Sequence, residues 1–244
     1  MRLALQPQAV QSDTAHAARP NGSLADLVYA QVKADLFAFR LLPGDAFTEA
    51  EWVVRLGVSR TPVRQALYRL AREGFVLVHL RSGWQVRPFD FERFENLYDL
   101  RIVLEHAAID RLCQHARPIQ MPVLAALRDI WLLPTHERLS EGSAVAHYDE
   151  QFHGALVDAA GNAEMLAVHR DVTDKIRIIR QLDFTKGYRI DATYQEHAAI
   201  LRAVFARRAD EAKRMIKSHI EMSKAEVRKI TLHRLHTARE HFQR

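Results

Sequence analysis

Three histidines and one aspartate stand where helical periodicity turns them toward an apolar interior. Asp149 and His153 are four residues apart in the stripe Asp149, His153, Leu156, Val157 and Ala160, so they project from one face, one turn above the other. His197 belongs to the stripe Tyr194, His197, Ala198, Leu201, Val204 and Phe205, and His219 to Ala212, Met215, Ile216, His219 and Ile220. Taking an ionised carboxylate out of water costs several kcal/mol unless it is paired or metal-bound. A divalent metal ion held by three imidazoles and one carboxylate satisfies all four groups at once. Zn suits this donor set, and Ni, Co, Mn and Fe suit it on geometry as well. The bland alternative is a set of core histidines with ordinary hydrogen-bond partners, which is where buried polar groups usually end.

Other polar residues near these stripes admit two roles. Arg101 lies in the stripe Leu97, Arg101, Leu104 and Ala108. An inward guanidinium there can hold a small carboxylate bidentately, or it can pair with Glu105 or snorkel to the surface. Asn162 is a ligand contact or the cap of the helix it precedes. Arg177 and Arg180 fall on an ambiguous stripe. His106, His115, His136, His147, His169, His233 and His236 are read as surface or structural.

The elements that position these groups are helices. A long helix is expected from Phe91 to about Ala116 with Asp90 as its N-cap, then others at 122–133, 145–160, 163–182, 191–208 and 210–233. Pro118 and Pro122 bracket one turn, and Gly161-Asn162 and Thr185-Lys-Gly187 mark breaks. No strand signal interrupts them, so residues 89–233 are expected to form an all-α bundle, with 234–244 a C-terminal extension. Residues 1–22 lack a sustained period and are expected to be a mobile tail. The 244 residues, 48% of them hydrophobic, suffice for a real core. A net charge of +5 is compatible with nucleic acid, and the single Cys113 excludes an internal disulfide and fits a reducing compartment. No apolar run reaches the roughly 18 residues that span a membrane. With no secretory h-region in MRLALQPQAV, a cytoplasmic protein is expected.

Residues 23–88 carry a different pattern. Leu24, Leu27, Val28, Val32, Leu36 and Phe39 line one side of a first helix, and a shorter one ends at Gly57. In the run LGVSRTPVRQALYRLAR, Ser59 is a helix-start residue whose side chain can satisfy a free amide of the first turn, and Pro62 is tolerated in that turn. Val63, Leu67, Leu70 and Ala71 form a buried stripe, while Arg60, Thr61, Arg64, Gln65 and Tyr68 face the other way. Seven arginines against one acid, Glu73, occupy Arg55 to Arg87. Two helices around a glycine turn make a helix-turn-helix, and the exposed face suits a DNA major groove. The strand-like runs 75–79 and 84–87, around a turn at 80–83, add a winged hairpin.

Leu42-Pro-Gly-Asp45, Phe47-Thr-Glu-Ala-Glu51, Leu56-Gly-Val-Ser-Arg-Thr-Pro-Val-Arg64 and Leu70-x-x-Glu-Gly74 closely resemble the DNA-binding domain of GntR-family transcription regulators. The resemblance implies that Ser59, Arg60, Thr61 and Arg64 contact phosphates and base edges, with Gly83 at a wing tip in the minor groove. Trp52 and Trp84 depart from the pattern, both as packing changes. Tyr148-Asp-x-x-Phe-His153, Gly161-Asn162, Glu196-His197-x-x-Ile200 and His219-Ile220 resemble the ligand-sensing FCD domain of the FadR-type branch. That implies a metal site of Asp149, His153, His197 and His219, an organic-acid effector completing it, and an effector-facing Arg101; acyl-CoA-binding branches lack these histidines.

The expectation is a mainly α protein: a winged helix-turn-helix followed by an all-α bundle for effector binding and dimerisation. It is expected to be a homodimeric regulator, a repressor as most of this kind are, that reads a palindromic operator in double-stranded DNA and answers a small carboxylate. Rival readings are a regulator for which the ion itself is the signal, a purely structural metal, and a metal-dependent hydrolase, for which no HExxH-like pairing is present.

Overall fold

The computed structural model describes residues 23–79, 83–114, 121–183, 187–227 and 229. The tail at 1–22, the extension at 234–244, the wing turn at 80–82, the turn at Pro118, and His115, His233 and His236 lie outside them. Helix α1 (Leu24–Phe37) starts at a capping box in which Ser23 and Asp26 satisfy each other's free amides. It buries Val28, Val32 and Leu36, whereas Leu24 and Leu27 are exposed. The apolar side read from the sequence therefore begins one turn later, because the first turn stands clear of the core.

Helices α2 (Glu49–Leu56) and α3 (Arg60–Arg72) form the helix-turn-helix. Thr48 and Glu51 make a second capping box, and Gly57 closes α2 at φ 63°, a left-handed conformation that glycine adopts without steric cost. Asp35 sits fully buried on α1 and accepts from Arg40 Nε at 2.7 Å and from Arg55 on α2, tying the two helices together. Strands β2 (Val76–His79) and β3 (Gly83–Val86) make the wing hairpin, with His79 opposite Gly83. A third strand, β1 (Ala46–Phe47), pairs antiparallel with β3, giving the order β1-β3-β2. Two residues are too short a run to show alternation, so the sequence offers no signal for β1. Trp52 and Trp84 are both core residues here: Trp52 meets Phe47 edge-on and Trp84 meets Tyr68 edge-on at 5.1 Å.

The second core belongs to six helices: α4 (Phe91–Gln114), α5 (Met121–Trp131), α6 (Gly142–Ala159), α7 (Ala163–Asp183), α8 (Gly187–Phe205) and α9 (Ala209–Val227). Asp90 caps α4 through the amide of Arg93, as expected from sequence. A short 3₁₀ turn at Thr135–Glu137 is the only helical piece of the polar link between α5 and α6 among the described residues. Helix α4 packs against α6, α7, α8 and α9, which makes it the central member. Its buried stripe is Tyr98, Arg101, Ile102, Glu105, Ala108 and Ile109, rotated from the one drawn through Leu97 and Leu104, which are half-buried. That rotation carries Glu105 into the interior. Phe205, at the end of α8, is exposed rather than buried. Among the described residues no helix is long and apolar enough to cross a membrane.

Candidate functional site

The four groups singled out on α6, α8 and α9 converge. Asp149 Oδ1 lies 3.1 Å from His197 Nε2, 3.4 Å from His219 Nε2 and 3.6 Å from His153 Nε2. The Nε2 atoms of His153 and His219 are 3.2 Å apart, those of His197 and His219 3.4 Å. All four donor atoms fall within 4.8 Å of one another, and all four side chains are buried. Metal–nitrogen and metal–oxygen bonds of about 2.0–2.1 Å in a tetrahedron set donor separations of about 3.3–3.4 Å. The five distances bracket that value.

Which nitrogen faces inward is fixed from outside the cluster. Glu105 Oε2 is 2.6 Å from His153 Nδ1, and Glu196 Oε2 is 2.5 Å from His219 Nδ1. A carboxylate that close requires a proton on the nitrogen, so each Nδ1–H donates outward and each Nε2 presents a lone pair inward. Arg189 Nη2, 3.2 Å from the same Nδ1 of His219, also binds Glu196 at 2.9 Å and holds that acid in place. This is the carboxylate–histidine arrangement that orients imidazoles on metals. His197 has no such partner on Nδ1; its ring is held by stacking on Phe152 at 3.7 Å and by the edge contact with Trp131 at 4.2 Å.

Inward lone pairs facing an anionic oxygen repel one another unless a cation lies among them. Asp149 Oδ1 has no hydrogen-bond partner in the protein, although it is buried. Burial opposes ionisation of Asp149, but the Arg180 guanidinium beside it outweighs that and holds the carboxyl well below its ordinary range. Burial pushes the His197 and His153 imidazoles down. Against its own burial, His219 is raised by Asp149 and Glu196, so the centre's pull on a cation is felt by a proton. The donor set fits a divalent metal.

Several partners of this centre were not singled out from sequence. Glu105 is buried and accepts from Arg101 Nε at 2.7 Å and from His169 Nε2 at 3.0 Å while binding His153. Arg101 is therefore inward as expected, joined to the centre through Glu105. Arg180 is buried against Asp149, and Arg177 bonds Glu150 on the neighbouring surface of α6. Arg101 Nη2, Arg180 Nη1 and Thr173 Oγ1 are sealed from solvent without hydrogen-bond partners. Asn162 uses its Oδ1 to accept from the amide of Met165 at 3.0 Å, so it caps α7.

The DNA-reading candidates stand together on the outer face of α3. Ser59, Arg60, Thr61, Arg64, Gln65 and Tyr68 are all exposed, with Pro62, Val63, Ala66, Leu67 and Leu70 behind them in the core. Ser59 occupies the N-cap position, but its hydroxyl makes no cap hydrogen bond, contrary to the reading from sequence. Arg64 donates through Nε and Nη2 to the two oxygens of Glu49, both at 3.0 Å. Gly83 has φ 93°, and a Cβ there would lie 2.8 Å from the carbonyl oxygen of Phe47. Glycine is required at that point by the close approach of β1.

Residues 24–86 match the bacterial regulatory proteins of the gntR family, and residues 96–222 match the FCD domain. The chain is 31% identical over 184 residues to the Nta operon transcriptional regulator of Aminobacter aminovorans, spanning 75% of this chain and 85% of that one. It is 26% identical over 198 residues to the HTH-type transcriptional repressor NanR of Escherichia coli, spanning 71% and 72%. The crystal structure of a putative transcriptional regulator GntR from Rhodococcus sp. RHA1 has the same fold, with a TM-score of 0.68 at 21% identity over 85% of this chain and 98% of that one. These relatives are transcriptional regulators, not enzymes. A winged helix-turn-helix joined to an FCD bundle with a buried metal-type donor cluster places this chain in the GntR family of DNA-binding transcriptional regulators.

Proposed function

We propose that the chain is a homodimeric repressor of the FadR-type branch whose operator affinity is set by a small organic acid seated at a metal in the FCD bundle. The observation that carries this reading is the junction of the donor cluster with Arg101. Glu105 bonds a ligand imidazole with one oxygen and a buried guanidinium with the other, and that guanidinium keeps a sealed, unpaired N–H. Unpaired buried donors are costly, and a carboxylate is the natural acceptor for both ion and guanidinium.

Asp149, His153, His197 and His219 would hold the ion, with Zn the first candidate. When bound, it supplies a Lewis-acidic attachment point for an acid oxygen. Asn162, with Oδ1 taken by the cap, has only its amide N–H groups for a ligand. Ser59, Arg60, Thr61, Arg64 and Gly83 would meet one half-site, and a two-fold dimer matches a palindrome. Exposed Leu100 and Val103 on α4 offer apolar surface for a second copy. The acid can shift operator affinity only by its differential affinity for the two bundle arrangements.

A melting titration of metal-loaded and chelated protein against small carboxylates tests this reading. An acid at about 100 times its Kd stabilises by about 2.7 kcal/mol. For a chain of this size that raises the midpoint by about 5–10 °C. The shift is expected in metal-loaded protein alone. Chelation that moves the midpoint while no acid does would instead make the ion the signal or a structural element.

A further inference from the structure

The charge inventory around the centre identifies the class of acid, on the effector reading above. Five ionic side chains lie around the four donors, and with the donor Asp149 they make three matched pairs: Glu105 with Arg101 at 2.7 Å, Asp149 with Arg180, and Glu196 with Arg189 at 2.9 Å. All of these are buried except Glu196, which is largely so. Each pair sums to zero. The next acid outward, Glu150, has its own arginine, Arg177. Neutral imidazoles add nothing, so a divalent ion among the donors brings two positive charges that no described side chain offsets. An uncompensated charge in a bundle interior is strongly disfavoured.

The unpaired donors point the same way. One N–H-bearing nitrogen on each of two guanidiniums, Arg101 Nη2 and Arg180 Nη1, is sealed from solvent and unpaired. Thr173, seven residues before Arg180 and so on the same side of α7, has its hydroxyl in the same condition. A monocarboxylate has too little charge for the ion and too few oxygens for these donors once it also reaches the metal.

We propose that the effector is a short dianionic acid, a dicarboxylate, which offsets the ion's charge and takes up the free N–H groups of Arg101 and Arg180. It must be short because every group named is within the bundle interior.

Calorimetric titration of the metal-loaded full chain with acids of equal carbon number separates charge from size: malonate against propionate, succinate against butyrate. At least one dicarboxylate is expected to bind tighter than its monocarboxylate by about tenfold or more, as an added charge-assisted contact implies. Monocarboxylates binding equally well or better would overturn the proposal while leaving the effector reading in place. Silence from every acid, with metal bound, would remove the effector reading itself and the proposal with it. Arg101→Gln leaves one net positive charge, so the dicarboxylate advantage is expected to fall by about tenfold while monocarboxylate affinity is kept. Should that variant fail to fold, Arg101→Lys keeps the charge; it is expected to keep the preference for the dianion, and losing it would overturn the charge argument.

Discussion

Arg64→Ala is expected to lower operator affinity by on the order of 10- to 100-fold per half-site, the scale of a bidentate base contact. The loss should multiply across two half-sites and be smaller on random DNA. Glu49 explains why this arginine is singled out from the four on α3. By accepting from Nε and from one N–H of Nη2 at 3.0 Å each, it fixes the guanidinium plane and leaves Nη1 and the second N–H of Nη2 as a fork for a base edge. A flexible arginine loses rotamer freedom when it binds; one already held loses less. The side chain is exposed and the core behind it is made by other residues, so melting and metal content should not move. Fluorescence anisotropy at fixed salt, on operator and random duplexes, measures both terms. Unchanged operator affinity would remove α3 as the reading helix.

His197→Phe is expected to reduce bound metal to under about a tenth of an equivalent, because three of the four protein donors no longer hold the ion against loss. This is the cleanest of the four ligands to remove. His153, His219 and Asp149 each have a charged partner, in Glu105, Glu196 and Arg180, that their loss would strand. His197 has no charged partner outside the cluster, and phenylalanine keeps the stack on Phe152. Glu105→Gln should act more mildly, weakening metal by about 10- to 100-fold through the orientation of His153. Metal analysis of purified protein and competition with a chelator check both. Full metal occupancy in His197→Phe would contradict the assigned ligand set.

The four donors were legible because each sits on an apolar stripe, and a polar residue there must find a partner. Their supporting charges were not. Glu105 lies four residues after Arg101, and that spacing reads equally well as a solvated helical pair until α4 is known to be surrounded by four other helices. A stripe drawn through Tyr98 instead of Leu97 would have included it. Arg180 and Glu196 depended on which helices face each other, and no spacing within one helix reports that. The winged domain was legible nearly whole, since the helix stop at Gly57 and the stripe of α3 are local features. Its exceptions were the Ser59 hydroxyl, which makes no cap bond, and two tertiary features, the pairing of β1 with β3 and the exposure of Leu24 and Leu27.

Coupling between the metal centre and the DNA-reading face joins the two halves of the molecule, and one measurement tests it. Operator affinity is measured by anisotropy for metal-loaded and chelated protein, each with and without a saturating dicarboxylate. Couplings between sites typically amount to about 5- to 150-fold in affinity. An acid-dependent change of that size is expected in the metal-loaded protein and none after chelation. An acid response that survives removal of the metal, or operator affinity indifferent to acid with metal in place, would contradict it.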